Sequence, residues 1–364
     1  MIIHQLISSS AHQLPSYSLL EKIASQEIMT QAYEWVCQAR LDYSAHSDIW
    51  DLRFHWVSIL PRLQQQLLEG TFKFSPQIQY RFPEETKTVW AAIDALVLKC
   101  IALVLTAYLN PHLNKRCFSI KGHGGLKEAV RQTKDHLSQY KHFYRSDVLS
   151  YYASIRHDVL LTQLTLLIPD ARVIELIAKS LDRVETSGGE YYDITCGISK
   201  GSPLSPLLGA IALKPLDDAL EKLPLFYCRY VDDWCFLAST KRQLRKAIKI
   251  MHRILNTLHF KTHPDKTFIG KTEKGFSFLG YQIHNIGLGI AQQSIENYQV
   301  RRQRLQEQQA TQKRLVEYSK RWLSWFKAGV ALWGPVEVEI RNWLGVAVIK
   351  NKSLLPPLLS ITPL

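Results

Sequence analysis

Phe226-Tyr-Cys-Arg-Tyr-Val-Asp-Asp-Trp-Cys-Phe-Leu-Ala-Ser239 sets two short runs of aromatic and β-branched residues around a bare acidic pair, Asp232 and Asp233. The pattern predicts a β-hairpin with carboxylates at its tip. Adjacent acids repel, and the residues around them are otherwise fit for a core. The pair therefore costs stability unless a cation sits beside it. Oxygen ligands of this kind suit Mg²⁺, which usually takes one or two carboxylates together with substrate phosphates. An isolated Asp-Asp pair is most often a solvated turn, so its partners elsewhere in the chain decide this one.

Working outward, Lys141 to Val148 alternates like a strand and delivers Asp147 at its end. Asp147 and Asp232 lie 85 positions apart, enough for intervening helices to return the chain to an adjacent strand. A turn through Ser150 and Tyr152 leads to helices expected at 157–168 and 171–185. Ser187-Gly188-Gly189 then opens a strand at 190–194, and Gly197-Ile-Ser-Lys-Gly-Ser-Pro-Leu-Ser-Pro206 precedes a helix at 205–222. Beyond the hairpin come an amphipathic helix at 240–258 and a second hairpin at 276–290, with Phe278-Leu279-Gly280 on its first strand.

The flanks differ in character. Residues 1–75 read as helical, with Leu52, Trp56, Ile59, Leu63 and Leu67 on one face of a helix from Trp50 to Leu68 that Gly70 stops. From Phe72 to Trp90 the chain looks extended and exposes Arg81 and Lys87. Ala91 to Leu109 is apolar but contains Asp94 and Lys99 and stops at Asn110-Pro111. It falls short of the roughly 20 clean residues of a spanning helix and reads as a buried one. Asn114 to Lys127 is basic and holds Gly122, Gly124 and Gly125, without the G-K-[ST] ending of a nucleotide-binding P-loop. Either its amides and Lys121 or Lys127 approach phosphates, or it is a plain glycine turn before a helix at 126–140. In the tail, residues 301–327 carry eight Lys or Arg against Glu307 and Glu317, with Leu315, Tyr318, Trp322, Trp325 and Gly329 as a helical stripe. Gly334-Pro335 then precedes a last expected helix, 336–349. A helical bundle with a basic, aromatic-flanked face predicts a nucleic-acid groove.

Bulk composition agrees. The 364-residue chain carries a formal charge of +13, which favours a polyanionic partner. Its six cysteines form no C-x-x-C pair and read as reduced thiols of a cytoplasmic protein. The histidines form no zinc set; His259 and His263 have helical spacing without partners. No signal peptide is expected at the N-terminal residues, because His4, Gln5, His12 and Gln13 interrupt any apolar core.

Phosphoryl transfer to a hydroxyl needs little covalent help from protein. It is served by two divalent ions roughly 3.5–4 Å apart, held by carboxylates on rigid elements. An acid at a strand end, a Gly-Ser-Pro loop, an acidic hairpin, a lysine loop and a second hairpin form a set far more specific than any member. Ser146-Asp147-Val-Leu-Ser-Tyr-Tyr152, Lys200-Gly-Ser-Pro-Leu-Ser-Pro206, Tyr230-Val-Asp-Asp233, Lys266-Thr267 and Phe278-Leu279-Gly280 stand in the order and spacing of reverse transcriptases. The chain resembles bacterial enzymes of the group II intron-like kind from about residue 50 to 345.

That resemblance implies an α+β right-hand polymerase, its palm a small antiparallel sheet backed by helices. The boundaries it implies are an N-terminal helical extension (1–75), fingers and palm (76–290), and a basic helical thumb with the C-terminal tail (291–364). The implied activity is RNA-directed DNA synthesis from a primer 3′-OH, in a bacterial retroelement or a phage-defence system. Asp147, Asp232 and Asp233 resemble the catalytic acids, holding two Mg²⁺ ions with the Val148 backbone; Mn²⁺ can substitute. Tyr152 resembles the aromatic gate that sterically excludes a ribose 2′-OH, although adjacent Tyr151 leaves the register to be tested. Gly201, with Lys200, resembles the loop against the incoming nucleotide, and Ser205 and Pro206 its template side. Lys266 resembles the lysine that approaches the triphosphate and supplies a proton to pyrophosphate. Arg81 and Lys87 are the candidate triphosphate cations of the fingers. Phe278, Leu279 and Gly280 resemble the primer grip, and Arg314, Lys320 and Arg321 are the thumb's candidate nucleic-acid contacts. The implied partners are an RNA template, a DNA or RNA primer, dNTPs and a cognate structured RNA, with no membrane; the sequence leaves oligomeric state open.

Three departures stand out. Position 200 is Lys where the family usually has Gln, the fingers lack a clear Arg-Pro-Leu-like signature, and Arg156 stands where an acid is common. The sequence supplies no functional account of Arg156. No stretch reads as an RNase H, endonuclease or integrase domain, so those steps are expected of other chains or a structured RNA. Two rival readings remain at this level. One is a template-independent nucleotidyltransferase or RNA polymerase; the other is a non-catalytic maturase-like RNA-binding or assembly protein. Among biological settings, the Ser205-Pro206 ending leans away from diversity-generating retroelements, which often have Gln in place of that proline.

Overall fold

A computed structural model describes residues 18–81, 86–285 and 287–330, together with the backbone of 338–340 and 347–349. In chain order the elements begin with helices α1 (Leu19–Ile23), α2 (Gln26–Ala39), α3 (Ile49–Phe54) and α4 (Trp56–Leu68). Strands β1 (Gln77–Arg81) and β2 (Thr86–Val89) and helices α5 (Ala92–Leu109) and α6 (Gly125–Leu137) follow. Next are β3 (His142–Ser146), α7 (Tyr151–Ser154), α8 (His157–Leu167), α9 (Ala171–Leu181), β4 (Val184–Ser187) and β5 (Glu190–Asp193). Then come α10 (Ser205–Ala212), α11 (Lys214–Glu221), β6 (Phe226–Tyr230), β7 (Asp233–Ala238), α12 (Lys241–Thr257) and β8 (Phe268–Lys271). The chain continues through β9 (Phe276–Phe278), β10 (Tyr281–His284), β11 (Gly287–Ile290), α13 (Gln292–Glu307) and α14 (Gln312–Val330) to β12 (Val338–Ile340) and β13 (Ala347–Ile349).

These elements form two compact units. One joins the chain up to His112 with Tyr152–Ile211; the other joins Leu113–Tyr151 with Ala212 onward. In the first, α5 is apolar and long enough by composition to cross a membrane, yet twelve of its residues are buried and it packs on α1, α2 and α3. Asp94, wholly buried on α5, accepts the Ser75 amide at 2.9 Å. The unit's sheet runs β2-β1-β4-β5, with β1 parallel to β4.

The second unit is built on a sheet of order β6-β7-β3-β8, antiparallel throughout. Both faces are covered, which is why its strands read as nearly continuous apolar runs. Phe226 and Cys228 of β6, Cys235 and Leu237 of β7 and Phe143 of β3 share one face with Ala129 and Val130 of α6 and Phe276, Phe278 and Tyr281 of the neighbouring strands. On the other face, Leu244, Ala247, Met251 and Leu255 of α12 are buried, and α12 packs on β3 and β7. Tyr144 and Phe236 stack at 4.8 Å.

Several expectations are corrected. The helix from Trp50 to Leu68 breaks at His55, and that at 205–222 breaks at Leu213. Residues 184–187 are a strand, so Gly188 and Gly189, both at positive φ, turn a hairpin. Phe276 to Ile290 is a three-stranded meander, and Leu279-Gly280 is a turn within it (φ +49° and +84°) rather than part of a strand. The last helix, expected at 336–349, is replaced by the antiparallel pair β12–β13, which β-branched Val338, Ile340, Val348 and Ile349 favour. The expectations placed on residues 1–17 and on Gly334-Pro335 fall outside the described residues.

Candidate active site

Strands β6 and β7 are joined by the two residues Val231 and Asp232, so Tyr230 opposes Asp233. Asp232 therefore sits in the turn and Asp233 begins β7. Val231 has φ +58°, a left-handed conformation that is an outlier for a β-branched residue. A buried polar group holds it. Arg229, wholly buried, donates from Nη1 to the Val231 carbonyl at 2.6 Å and from Nε to Asp217 Oδ1 at 2.7 Å. A second Arg229 nitrogen, Nη2, donates to Asp217 Oδ2. Tyr227 donates its hydroxyl to the same aspartate at 2.6 Å. Neither Arg229 nor Asp217 was anticipated as a site residue, and only the hairpin's Arg within an apolar strand signalled it.

Asp147 follows β3, next to β7 in the sheet, with Ser146 opposite Trp234. It is 3 % exposed. Its backbone carbonyl accepts from His263 at 3.0 Å, while Leu149 donates to the Lys261 carbonyl at 2.8 Å. Val148, opposite Thr262, is thus a non-hydrogen-bonded pair in this bridge, and its own carbonyl points away from segment 261–263. Lys266, on the same connection, donates to Asp147 Oδ2 at 2.6 Å.

Electrostatics show that the acids share one field. Burial first, then the charges of Asp232 and Asp147, push the Asp233 carboxyl up to about 6. Burial, with Asp147 adding to it, also raises Asp232. The hydrogen bond to Asp147 raises the Lys266 ammonium. Asp147 Oδ1 is buried with no hydrogen-bond partner among the described residues.

Do these residues fit a divalent ion? No three His, Cys, Asp or Glu side chains among the described residues form a ready ligand set, and Lys266 holds one oxygen of Asp147. Hard carboxylate oxygens, an orphaned Oδ1 and mutual repulsion nevertheless suit Mg²⁺ or Mn²⁺, with Lys266 as the cation that occupies the charge field without it.

The first unit gathers the nucleotide-loop residues. Ile198 donates to the Tyr152 carbonyl at 2.7 Å, and a Cβ on Gly201 would come within 2.9 Å of the Thr88 carbonyl, one residue from Lys87. Only glycine lets the loop lie this close to β2. Tyr152 is half-buried, whereas Tyr151 is buried and meets Phe260 edge-on in the second unit. Lys200 and Pro206 are exposed. Ser205 is buried and donates to the Ser199 carbonyl at 2.5 Å, so its hydroxyl shapes the loop from within. Arg81 opposes Thr86 while Lys87 opposes Tyr80, which puts the two cations on opposite faces of the β1–β2 ribbon. They do not form one cationic cluster. Arg156 makes a two-point contact with Asp158 at 3.0 and 2.7 Å, a local surface pair.

In the second unit, Phe278 is 2 % exposed and belongs to the core, so its ring anchors the segment that leads into the Leu279-Gly280 turn. A Cβ on Gly280 would meet the Trp325 ring at 2.8 Å, so the Leu279-Gly280 turn is covered by α14. Lys127 donates to the Trp325 carbonyl at 2.5 Å and to the Tyr281 hydroxyl, with its ammonium 3.8 Å above the Trp325 ring. It fastens α6 to α14 and does not reach for phosphate. Arg314, Lys320 and Arg321 are exposed on α14, opposite buried Leu315, Leu323 and Phe326.

Residues 62–283 match the family described as reverse transcriptase (RNA-dependent DNA polymerase). The chain belongs to that family, and those residues are an RNA-directed DNA polymerase domain of mixed α+β build, a class with right-hand fingers, palm and thumb. It is similar to an uncharacterized 91 kDa protein in the cob intron of Schizosaccharomyces pombe, 27 % identical over 46 % of this chain and 21 % of that protein. It is also similar to protein YkfC of Escherichia coli, 21 % identical over 61 % of this chain and 70 % of YkfC. A putative COX1/OXI3 intron 2 protein of Saccharomyces cerevisiae is 25 % identical over 45 % of this chain and 20 % of that protein. The chain thus spans about a fifth of the two yeast proteins. Among solved structures, a chain of a partial Cas6-RT-Cas1–Cas2 complex aligns with TM-score 0.42 and 21 % identity, over 66 % of this chain and 43 % of that one.

Proposed function

We propose that this protein synthesises DNA on an RNA template by extending a primer 3′-OH with dNTPs. The observation that carries the proposal is the shared field of Asp147, Asp232 and Asp233 on adjoining strands, with Lys266 on Asp147. In this reading the second unit supplies palm and thumb and the first supplies the fingers. Asp147, Asp232, Asp233 and the Val148 carbonyl would hold Mg²⁺. When bound, such ions lower the charge barrier to attack on a phosphoryl group.

The chain's own groups do the rest. The Lys266 ammonium, hydrogen-bonded to Asp147, would neutralise a triphosphate and hand a proton to departing pyrophosphate. Tyr152 would close the sugar site to a 2′-OH, and Gly201 would let the loop backbone approach the nucleotide. Exposed Arg314, Lys320 and Arg321 would follow a phosphate backbone. A cytoplasmic setting fits the six free thiols. A retroelement role fits relatives named as intron proteins, and a defence role is the alternative setting.

Primer extension tests it. The wild-type protein should extend a DNA primer on an RNA template with dNTPs and Mg²⁺, and Asp232→Asn should abolish extension while RNA binding and the thermal transition persist. Binding without extension in the wild type would point to the maturase-like alternative. Extension without a template would point to a terminal transferase.

A further inference from the structure

Helix α12 carries Lys241, Arg242, Arg245, Lys246, Lys249 and Arg253, all exposed, and no Asp or Glu between its ends. Among the described residues none of the six meets a carboxylate. Cations on α6, α9 and α11 are matched locally: Arg131 with Glu128 and Asp135, Lys179 with Glu175, Lys214 with Asp218. On α12 the positions i and i+4 repeat like charge instead, at 241/245, 242/246, 245/249 and 249/253. Each such pair destabilises an isolated helix. The helix is nonetheless firmly made, opened by a Thr240–Gln243 capping box and seated by Leu244, Ala247, Met251 and Leu255.

From this we infer that the outer face of α12 is a docking surface for a double-helical stem of a folded RNA, separate from the template path. The six cations span about 18 Å along the axis, enough to face several successive phosphates. Their side of the helix has no exposed large apolar residue, so a lipid surface lacks the insertion it needs. It also lacks the aromatic platforms on which single strands stack. A duplex backbone needs neither, and an A-form helix sets its phosphates closer along the axis than a B-form one. Position argues for a second surface. The helix starts just after Ala238, at the end of β7 remote from Asp233, and its last turn leads to the 261–263 segment beside Asp147. The row of cations starts at that remote end, with Lys241 and Arg242 in the first turn.

The test uses the full chain and the variant K241Q/R245Q/K249Q, whose positions are exposed. A blunt RNA stem-loop of about 20 base pairs is titrated by fluorescence anisotropy at several KCl concentrations. The variant should bind about tenfold more weakly near physiological salt, and its log-log salt slope should fall by roughly two to three. Extension of a short primer–template should match wild type. Unchanged affinity and slope would overturn the inference. So would a loss confined to phosphatidylserine vesicles, or a duplex DNA of the same sequence held equally well through these residues. Because binding is read directly, an inactive wild type would defeat the polymerase proposal and leave this one standing.

Discussion

Arg229 gives its Nη1 proton to the carbonyl of Val231, two residues further along, at 2.6 Å. One guanidinium therefore joins a buried aspartate to the strained residue that precedes Asp232. A left-handed β-branched residue costs on the order of 1–3 kcal/mol and persists only when its surroundings over-determine it. The fork between Asp217 and Val231 supplies that constraint and aims the acidic turn.

Removing one partner of a wholly buried pair typically costs about 3–5 kcal/mol. Asp217→Asn should lower stability by that order in urea denaturation. Arg229→Lys, which keeps the charge but loses the planar fork, should cut kcat about tenfold or more and leave the KM for dNTP nearly unchanged. A matched rise in KM would show that the pair serves nucleotide binding and not the aim of Asp232.

Lys266 and a divalent ion would compete for Asp147 Oδ2. Lys266→Ala should then slow extension roughly a hundredfold and still lower the Mg²⁺ concentration giving half-maximal rate. An increased Mg²⁺ requirement would contradict the competition.

Tyr152 is half-buried and Tyr151 is in the core, which separates their roles. Tyr152→Ala should raise incorporation of ribonucleotides relative to dNTPs with a small effect on stability. Tyr151→Ala should cost roughly 3–5 kcal/mol of stability, the usual price of a large aromatic truncated in a core. Sugar selectivity moving with Tyr151 alone would reverse the assignment.

Asp94 offers a pH test away from the acidic turn. Burial pushes its carboxyl up to about 6. The folded state then binds the proton more tightly than the unfolded state, so stability from this group is undiminished below about pH 4, falls as pH rises toward 6, and stays reduced above it. Asp94→Asn keeps an acceptor for the Ser75 amide. It should stabilise the protein by about 2–3 kcal/mol at pH 7, with the gain vanishing near pH 4 in denaturation curves.

Local signals carried much of this molecule. Short, nearly continuous apolar runs around Asp232-Asp233 specify the hairpin, because both faces of its strands are buried. The ordered motifs from Asp147 to Gly280 identify the family. Glycines with positive φ mark the turns at 188–189 and 280. What depends on distant packing was not legible. In sequence Lys127 lies either near phosphate or beside a plain glycine turn, and only packing shows that the Trp325 and Tyr281 rings take its charge. Phe278 stands in a motif that resembles a primer grip, and its burial in the core shows only once the sheets are packed. The opposite facing of Arg81 and Lys87 needed the β1–β2 register.

By itself the sequence determined the strand end or turn that delivers each carboxylate, the order of the motifs and the excess of positive charge. These follow from residue type and periodicity, which act over a few positions. Only the tertiary structure decided that Arg229 and Asp217 brace the acidic turn, that Lys266 rests on Asp147, and that the cations of α12 stand unmatched on one outer face. Each joins groups far apart in the chain, or a whole surface to its surroundings, and burial and Coulomb energy depend on that arrangement in space.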